Sequence, residues 1–460
     1  MAVGSSSTAP FGDALVWALF AHGLVAVALG FSYGHDHHAS VLLVAAAVPA
    51  VGVALWATRR PSRPFAGDAA IAWLAAMAST IAVAVLEPGT FLPPGASRAP
   101  LLVLSVAACG VVASYAPEVL GLRAPHARSS RTVGDLRGAA RPIALLLLAL
   151  GLGAWLLRAS PAPAIDVWAV HQQGASALVH GRQVYAPGAI SAPDTGALVR
   201  EIDTYPYPPL NIVLTAPAYA VTGDTRWAQL VSILLGAVLL RATAQRRGWR
   251  GPVPDLLMAC LLFHPRGLFV LEQAWGEPLA LPLLGGFTLA WSSGRSHLAA
   301  VMLGLLCALK QHYLLYLPAL AFLPGIGVAG VAIAFATLVV TYLPFAIAAP
   351  VGLWNAVVVH HLKNPFRPDS LSITARLSDA GIALPSWPGF AVSLASFGAL
   401  AWTPRKLGPL LLASSLTFLV FYLLGRQAFC NYYYLLGATW LFAAASLDGA
   451  RMTEHATHAG

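Results

Sequence analysis

Charged side chains are scarce in this sequence. They make up only 10% of its 460 residues, against 58% for hydrophobic types, whereas a soluble globular domain carries roughly 25%. Apolar stretches recur from residue 11 to residue 447, which also excludes a soluble domain on a single membrane anchor. The runs are continuous, for example at 143–155 and 328–343, and do not alternate with polar residues as barrel strands do. The sequence therefore predicts an all-α polytopic membrane protein.

Lysine and cysteine are rarer still. The four cysteines show neither metal-ligand nor disulfide spacing, which indicates small packing residues. P-loop, CxxC and HExxH motifs are absent, and we expect no cofactor and no metal. The net charge of +9 would suggest a nucleic-acid partner for a soluble protein. In a polytopic protein, arginine in cytoplasmic loops explains the charge, so we expect membrane lipids and no nucleic acid as partners.

Fourteen apolar segments are candidate membrane spans. They lie at about 11–31, 40–58, 68–86, 99–122, 141–158, 209–222, 225–241, 253–271, 277–293, 298–322, 324–347, 386–402, 408–424 and 431–447. The basic residues cluster in loops at 59–63, 123–141, 241–250 and 405–406. The positive-inside rule places these loops in the cytoplasm. The outer side then carries the loop 159–208, the turn near 264–277, the loop 348–385 and the turn near 425–430.

This topology requires two of the segments to be broken. Segment 209–222 is too short to cross about 30 Å of hydrocarbon at 1.5 Å per residue, so 205–241 is predicted to make one net crossing. Within 298–322, Lys310 and His312 interrupt the apolar run, which predicts two segments that meet at Lys310. Broken helices in membranes are buried or line a polar cavity. We therefore expect a cavity between these two breaks.

The long outer loop opens with a weakly amphipathic stretch that starts at Asp166. Val170 and Gly174 fall on one face, and Gln172 and Gln173 fall on the other, as expected of a helix in the membrane interface. An Asp at a helix start is a favoured N-cap. A functional carboxylate at the membrane surface is the rival interpretation, and the two are compatible. Most surface charges are solvated, and solvated loop positions are expected for the neighbouring carboxylates Asp194, Glu201 and Asp203.

The segment 205–209 reads Tyr-Pro-Tyr-Pro-Pro. Proline fixes φ and removes donors, so this segment cannot be the interior of a helix. A loop-to-helix junction with interfacial tyrosines explains it. The same stiffness also makes it a rigid wall for a cavity.

Ionisable residues inside apolar segments are costly and are usually paired or functional. Lys310 lies far from either end of its apolar run, which favours a cavity over snorkelling to a surface. Arg266 and Glu272 flank an apolar turn, where a structural ion pair between them is one explanation and substrate binding by Arg266 is another. Lys363 and Arg367 lie in a polar outer loop that is either plain loop or a phosphate clamp. The run 35–38, His-Asp-His-His, is a solvated loop or, less expectedly, a metal site.

These residues together resemble a known family. Asp166, the pair Gly174-Ala175, the spacing Gly181 to Tyr185 and the run Tyr207-Pro208-Pro209 are similar to motifs of the polyprenyl-phosphate-mannose-dependent α-mannosyltransferases, glycosyltransferase family 87 of the GT-C superfamily. Leu309-Lys310 followed by Pro318 is similar to a later motif. The family's Gly-Gln turn is replaced here by Glu-Gln-Ala-Trp-Gly at 272–276. The resemblance covers 140–325 well and 326–447 loosely.

The resemblance implies a GT-C-like bundle of about 11–14 transmembrane or re-entrant helices with a large first catalytic outer loop. An N-terminal four-helix module (1–125) precedes the catalytic membrane domain (126–447), and a polar cytoplasmic tail (448–460) follows. The expected location is a bacterial plasma membrane with the active site outside. The implied reaction moves a hexose, mannose in the family, from a polyprenyl-phosphate donor to a lipid or glycan acceptor by one inverting displacement.

A lipid-phosphate sugar has a good leaving group, so the chemistry needs one base and cations that stabilise the phosphate. Asp166 is the expected base. The candidates for binding the donor phosphate are Lys310, His312, Lys363 and Arg367. Tyr207 and Trp168 are candidates for stacking on the sugar or lining a lipid groove. A transporter or flippase, or a transferase of another sugar, stays open as an alternative.

Overall fold

The protein is described from a computed structural model. The described residues are 14–59, 67–122, 131–193, 201–317, 321, 323–363, 365–382, 384–385, 387–396, 398 and 403–449. This part of the chain is helical apart from loops and one antiparallel pair of two-residue strands, β1 (Ala192–Pro193) and β2 (Glu201–Ile202). The predicted all-α class is therefore confirmed.

The first half of the bundle runs to residue 246. Its helices are α1 (Ala14–Ser32), α2 (His38–Ala57), α3 (Asp68–Val85), α4 (Ala99–Ala113), α5 (Ala116–Val119), α6 (Arg131–Ala159), α7 (Asp166–Val179), α8 (Pro209–Thr222) and α9 (Arg226–Arg246). Local chemistry sets several of these bounds. Pro209 starts α8, where its missing N–H is harmless, and Gly223 ends it with φ +78°.

The second half contains shorter helices and two irregular segments. Its helices are α10 (Val253–Leu262), α11 (Gly267–Glu272), α12 (Glu277–Ser292), α13 (Ser296–Leu309), α14 (Gly327–Ala348), α15 (Pro350–Trp354), α16 (His360–Lys363), α17 (Ile373–Asp379), α18 (Trp387–Ser396), α19 (Leu407–Leu423) and α20 (Cys430–Ala445). A 3₁₀ segment, Gln311–Tyr316, follows α13, and a π-helical segment, Asn355–Val359, separates α15 from α16.

Seven described helices are long and apolar enough to cross a membrane: α1, α2, α3, α9 and α14, together with 99–119 across α4 and α5, and 139–159 of α6. The helices α10, α13 and α19 are apolar but shorter. This is the composition of a helical membrane protein. The predicted total of 11–14 spanning or re-entrant segments stays a prediction.

The four N-terminal helices share one hydrophobic core with the later ones. Helix α1 packs against α20, α2 against α19, and α3 against α10. The predicted boundary near residue 125 stays a prediction, and the predicted tail lies outside the described residues from 450 onwards.

One end of the bundle, here called the basic end, gathers the described basic loops. Asp448 pairs with Arg247 at 2.5 Å and with Lys406 at 2.9 Å, which brings residues from two of these loops together. Arg241 pairs with Asp255 on α10 at 2.5 Å. The basic loops at 241–250 and 405–406 therefore lie on one side, as the parity argument requires.

Helix α8 does not run from one end to the other. Near its start, Asn211 Nδ2 donates to the Leu309 carbonyl at 2.5 Å, and just past its end Gln172 of α7 donates to the Gly223 carbonyl at 3.0 Å. Both ends thus contact elements at the end opposite the basic loops, here called the cavity end. The predicted single net crossing of 205–241 agrees with this path.

The chain also breaks at Lys310, as predicted. Lys310 is extended, with φ −148° and ψ 141°, between α13 and the 3₁₀ segment. Further on, Leu323 lines a small hollow with Leu407, the residue after Lys406 of the basic end. The two segments that meet at Lys310 therefore rise to the cavity end and return.

A candidate active-site cavity

A cavity of about 500 Å³ opens at the cavity end of the bundle. Its wall includes five of the eight predicted site residues: Asp166, Tyr207, Lys310, His312 and Arg367. Pro206 lies beside Tyr207 in the same lining. The cavity thus forms where the two broken segments meet.

Asp166 is the first residue of α7, and Ile165 occupies the N-cap position without a side-chain cap. The Val167 N–H donates to Asp166 Oδ1 at 2.9 Å. The carboxylate therefore lies at the positive end of the helix dipole. It faces the cavity from that position.

Helix α7 is held in place by its two glutamines. Gln173 exchanges hydrogen bonds with the backbone of Ser191, at 2.7 and 2.8 Å. Gln172 donates to the Gly223 carbonyl and accepts from the Thr225 N–H at 3.0 Å. Both polar residues of the predicted amphipathic face thus bind neighbouring loops, which fixes the direction of the helix.

The stiff segment 205–209 rests on the apolar face of α7. A Cβ on Gly174 would lie 2.8 Å from the Tyr205 ring, so only glycine permits this approach. The Tyr185 hydroxyl donates to the Tyr207 carbonyl at 2.7 Å. The buried His171 ring stacks on Tyr207 at 4.8 Å and is hydrogen-bonded to the Tyr205 hydroxyl at 2.9 Å.

His171 is held neutral in this packing. Burial, and then the positive charge of Lys310, lower its pKa to about 3. Its role is therefore to support Tyr207, which it does as an uncharged ring.

Lys310 is only 7% exposed and forms a buried ion pair with Glu277 at the start of α12. Asn431 of α20 donates to the same Glu277 oxygen at 2.8 Å. Lys310 Nζ also lies 4.9 Å from the centre of the Tyr432 ring. A lysine ammonium has three donors, so pairing with Glu277 leaves it able to bind a second anion from the cavity.

Arg367 belongs to a polar loop and lines the same cavity. Its Nε and Nη2 donate to the two Asp369 oxygens at 2.8 and 2.7 Å, a bidentate pair. His35 Nδ1 lies 3.5 Å from Asp369 as well. Partial burial raises the pKa of Asp369, but the hydrogen bonds and charge of Arg367 outweigh it and hold that pKa below its ordinary value.

His312 lies in the 3₁₀ segment among aromatic rings. Its ring centre is 4.6 Å from that of Tyr313 and 5.7 Å from that of Tyr432. Beside it in the lining, His361 Nε2 donates to the Pro206 carbonyl at 2.8 Å. This second histidine was not among the predicted site residues.

Three predicted site residues lie outside the lining. Lys363 is exposed on α16, and Trp168 packs beside Arg226 with its ring centre 6.0 Å from the guanidinium carbon. The third, Arg266, is treated below because the structure gives it a different task.

Arg266 lies outside the cavity lining, and its described ion pairs and hydrogen bonds do not include one to Glu272. It is 1% exposed. Its guanidinium donates to the carbonyls of Leu29 at 3.0 Å, Gly30 at 2.7 Å and Glu87 at 2.9 Å. Arg266 thus fastens the α1–α2 and α3–α4 regions to the later helices.

Glu272, on the other side of the turn, holds the α3–α4 region. Its carboxylate accepts from the backbone N–H groups of Thr90 at 2.7 Å and Phe91 at 3.1 Å. A Cβ on Gly89 would lie 2.2 Å from this carboxyl group, which explains a glycine there.

The N-terminal loops reach the cavity itself. Tyr33, His35, Thr90 and Phe91 belong to its lining, and none of them was predicted as a site residue. The only sequence signal was the unusual polar run 35–38 between two apolar helices.

The alternative of a metal at 35–38 is not supported. Asp36 pairs with Arg376 at 2.6 Å, and its N–H donates to the Asp369 carbonyl at 2.9 Å. Among the described residues, no group of three or more His, Cys, Asp or Glu is placed to hold a metal ion.

A second hollow of about 170 Å³ adjoins the cavity and shares His361 and Gln427 with it. Its other walls come from α18 and α19, including Phe390, Phe421 and Leu424. Phe390 is 57% exposed on the outside of the bundle. The cavity therefore has an extension, lined in part by these apolar side chains, that reaches the surface of the bundle at Phe390.

Comparisons with protein-family models, with curated proteins and with solved structures find no match to this chain.

Proposed function

We propose that the protein is a membrane glycosyltransferase. It moves a hexose from a polyprenyl-phosphate donor to a hydroxyl of a lipid or glycan acceptor. The proposed hexose is mannose. The observation that carries the proposal is one cavity lined by a carboxylate, Asp166, and by two cationic side chains, Lys310 and Arg367. No metal or cofactor enters the proposed reaction.

The reaction is a single displacement at the anomeric carbon. Asp166 takes the proton of the acceptor hydroxyl as its oxygen attacks. The bond from the anomeric carbon to the phosphate oxygen breaks, and its electron pair stays on the phosphate. Attack from the face opposite the leaving group inverts the configuration.

The departing phosphate gains negative charge, which nearby cations stabilise. Lys310 and Arg367 are already paired with Glu277 and Asp369, so each cation is balanced by one carboxylate at rest. An ammonium has three donors and a guanidinium has five, which is more than these pairs use. The pairs hold both cations in fixed positions, which reduces the reorganisation needed when the charge develops.

The lipid chain of the donor has a matching surface. The hollow beside Phe390 and Phe421 leads away from the cavity towards the outside of the bundle. A polyprenyl chain placed there would remain in contact with lipid while its phosphate reaches the cavity.

The proposed location is a bacterial plasma membrane with the cavity facing outwards. The gathering of described basic residues at the opposite end supports this orientation.

The test uses purified full-length protein in lipid nanodiscs with radiolabelled polyprenyl-phosphate-mannose and extracted membrane lipids as acceptors. We expect label in a new product with wild-type protein. Label that only changes leaflet in proteoliposomes, with no covalent product, would replace the enzyme by a flippase. Transfer from another polyprenyl-phosphate sugar alone would keep the mechanism and change the sugar.

A further inference from the structure

The α1–α2 and α3–α4 loops make one wall of the cavity, through Tyr33, His35, Thr90 and Phe91. None of these four residues belongs to the elements that carry the proposed base or the proposed phosphate-binding cations. Ser160 Oγ donates to the Phe91 carbonyl at 3.5 Å, which places the α3–α4 loop close to the start of α7, and His35 Nδ1 lies 3.5 Å from Asp369, the partner of Arg367. The Phe91 end of the wall therefore lies on the side of the proposed base, and the His35 end lies beside the loop of Arg367.

Two buried charges position this wall. Arg266 and Glu272 bind its backbone and the backbone just before it, as described above. Burying charged groups in a membrane protein is costly, and they are retained mostly where they serve a function. Here they hold the α1–α2 and α3–α4 loops, which are distant in sequence, in a fixed position.

Tyr33 sits in this wall with a left-handed backbone, φ +55°. Non-glycine residues adopt that conformation rarely, and such strain clusters at functional sites. The Arg266 guanidinium carbon lies 3.9 Å from the centre of its ring. Arg266 is absent from the lining, so it supports the ring from behind.

The rings of Phe269 and Trp275 extend this wall, and the extended surface is here called the aromatic wall. Tyr33 contacts Phe269 with ring centres 5.3 Å apart, and Phe269 contacts Trp275 at 5.5 Å. All three line the cavity. Polar groups lie among them, since Gln273 Nε2 donates to Thr90 Oγ1 at 3.0 Å.

We infer that this aromatic wall is the acceptor subsite and that it takes a polyhydroxylated ring, such as a sugar. The inference rests on the proposed function. Aromatic faces pack against the C–H face of such a ring, while hydroxyl, amide and imidazole groups satisfy its hydroxyls. A lipid chain would not need these polar groups, and Arg266, the cation behind the Tyr33 ring, is engaged by three backbone carbonyls.

The test measures binding without turnover. Full-length protein in nanodiscs is titrated calorimetrically with octyl α-mannoside, and separately with pentaethylene glycol octyl ether, which has the same chain and no ring. We expect saturable binding of the mannoside alone. Tyr33→Leu and Trp275→Leu should each raise its Kd by about fivefold or more, and Tyr33→Phe should restore most of the affinity.

Phe31→Leu is the matched control, because Phe31 is 63% exposed at the end of α1, two residues before Tyr33, and lies outside the lining. Its Kd should equal that of the wild type. Equal binding of the ether, or an unchanged Kd in folded Tyr33→Leu and Trp275→Leu proteins, would overturn the inference.

A second readout separates this inference from the proposed function. In the transfer assay, Tyr33→Leu should raise the KM for acceptor and leave the KM for donor unchanged. The reverse pattern would assign the wall to the donor and overturn the inference. Mannoside binding that depends on Tyr33 in a protein that transfers no sugar would support the ring-binding site and reject the transferase.

Discussion

At the scale of single residues, one substitution separates the proposed catalytic role of Asp166 from its local hydrogen bond. Asp166→Asn keeps the size of the side chain and an oxygen that can accept from the Val167 N–H, but it cannot accept a proton. We expect sugar transfer to fall by roughly 10²–10⁴-fold, with little change in thermal stability. Initial rates and a thermal melt of the same preparation measure both.

Asp203→Asn is the control for this substitution. Asp203 is exposed and lies outside the cavity lining, so its neutralisation should leave the rate near that of the wild type. Loss of transfer in Asp203→Asn with near-normal transfer in Asp166→Asn would move the base to Asp203.

Lys310 illustrates how a buried partner changes a prediction. From the sequence alone, Lys310→Met should weaken donor use with little effect on expression. Since the structure pairs Lys310 with the fully buried Glu277, the same change leaves an uncompensated carboxylate. Breaking such a pair costs about 3–5 kcal/mol, so we expect lower expression and a lower unfolding midpoint.

The double variant Lys310→Met, Glu277→Gln removes both charges. It should recover most of the stability and still use the donor poorly. If the single variant is as stable as the wild type, Lys310 does not balance the charge of Glu277. If the double variant uses the donor normally, Lys310 does not bind the donor phosphate.

The sequence indicated which ionisable residues are unusual, but it did not indicate their partners. Lys310 was expected at a cavity because it interrupts an apolar run. Its partner Glu277 and the supporting Asn431 lie in other helices, and nothing local in the sequence identifies such a pair. Arg266 carried the same signal as Lys310 and proved to bind backbone carbonyls, because depth in the bundle alone does not distinguish a cavity from a packed loop.

At the scale of elements, the contact between α7 and segment 205–209 depends on Gly174. An added Cβ would meet the Tyr205 ring at 2.8 Å and Ile212 at 3.1 Å. We expect Gly174→Ala to destabilise the protein by about 1–3 kcal/mol through overpacking and to lower transfer because Tyr207 is displaced. Urea or thermal unfolding and transfer rates check this.

Gly110→Ala is the comparison, since a Cβ there meets nothing within 4 Å in the interior of α4. Alanine should be neutral or stabilising by about 0.4–1 kcal/mol. If Gly174→Ala behaves in the same way, the close approach of α7 to Tyr205 is not required.

Elements with a strong local signal were predictable. The start of α7 at Asp166 followed from helical periodicity. The break at Pro209 followed from proline chemistry, and the break at Lys310 followed from polar residues inside an apolar run. The 3₁₀ segment after Lys310 and the π segment before His360 were not predictable. Their geometry depends on contacts such as Gln311 to the Val357 carbonyl at 2.6 Å, which join distant parts of the chain.

At the scale of the whole molecule, the separation of the cavity from the basic end can be tested by labelling. Gln183, in the loop after α7, and Arg246, the last residue of α9, are exposed at opposite ends of the bundle. We expect an impermeant maleimide to label Gln183→Cys in intact cells and to label Arg246→Cys only after permeabilisation. Three of the native cysteines are buried, and Cys109→Ala removes the partly exposed fourth.

Equal labelling of the two positions from outside would contradict the sidedness. Labelling of Arg246→Cys alone would keep the architecture and reverse its orientation, which would place the cavity in the cytoplasm.

The parity of the basic loops anticipated the large-scale path of the chain, including both broken segments. The contribution of the N-terminal helices to the cavity was not foreseen. Arg266 binds the Leu29 carbonyl across 237 positions, and a single sequence contains no signal for a contact of that separation. Such contacts become visible only when helices are packed in three dimensions.

The fastening of the early loops by Arg266 and Glu272 also sets an order of assembly. A ribosome makes α1 to α4 first, yet the groups that fix their loops emerge only after α10. Asn431, which binds Glu277, is made later still. For most of translation the nascent protein therefore lacks a finished pocket, since a chain stalled before Asn431 is missing part of the cavity lining.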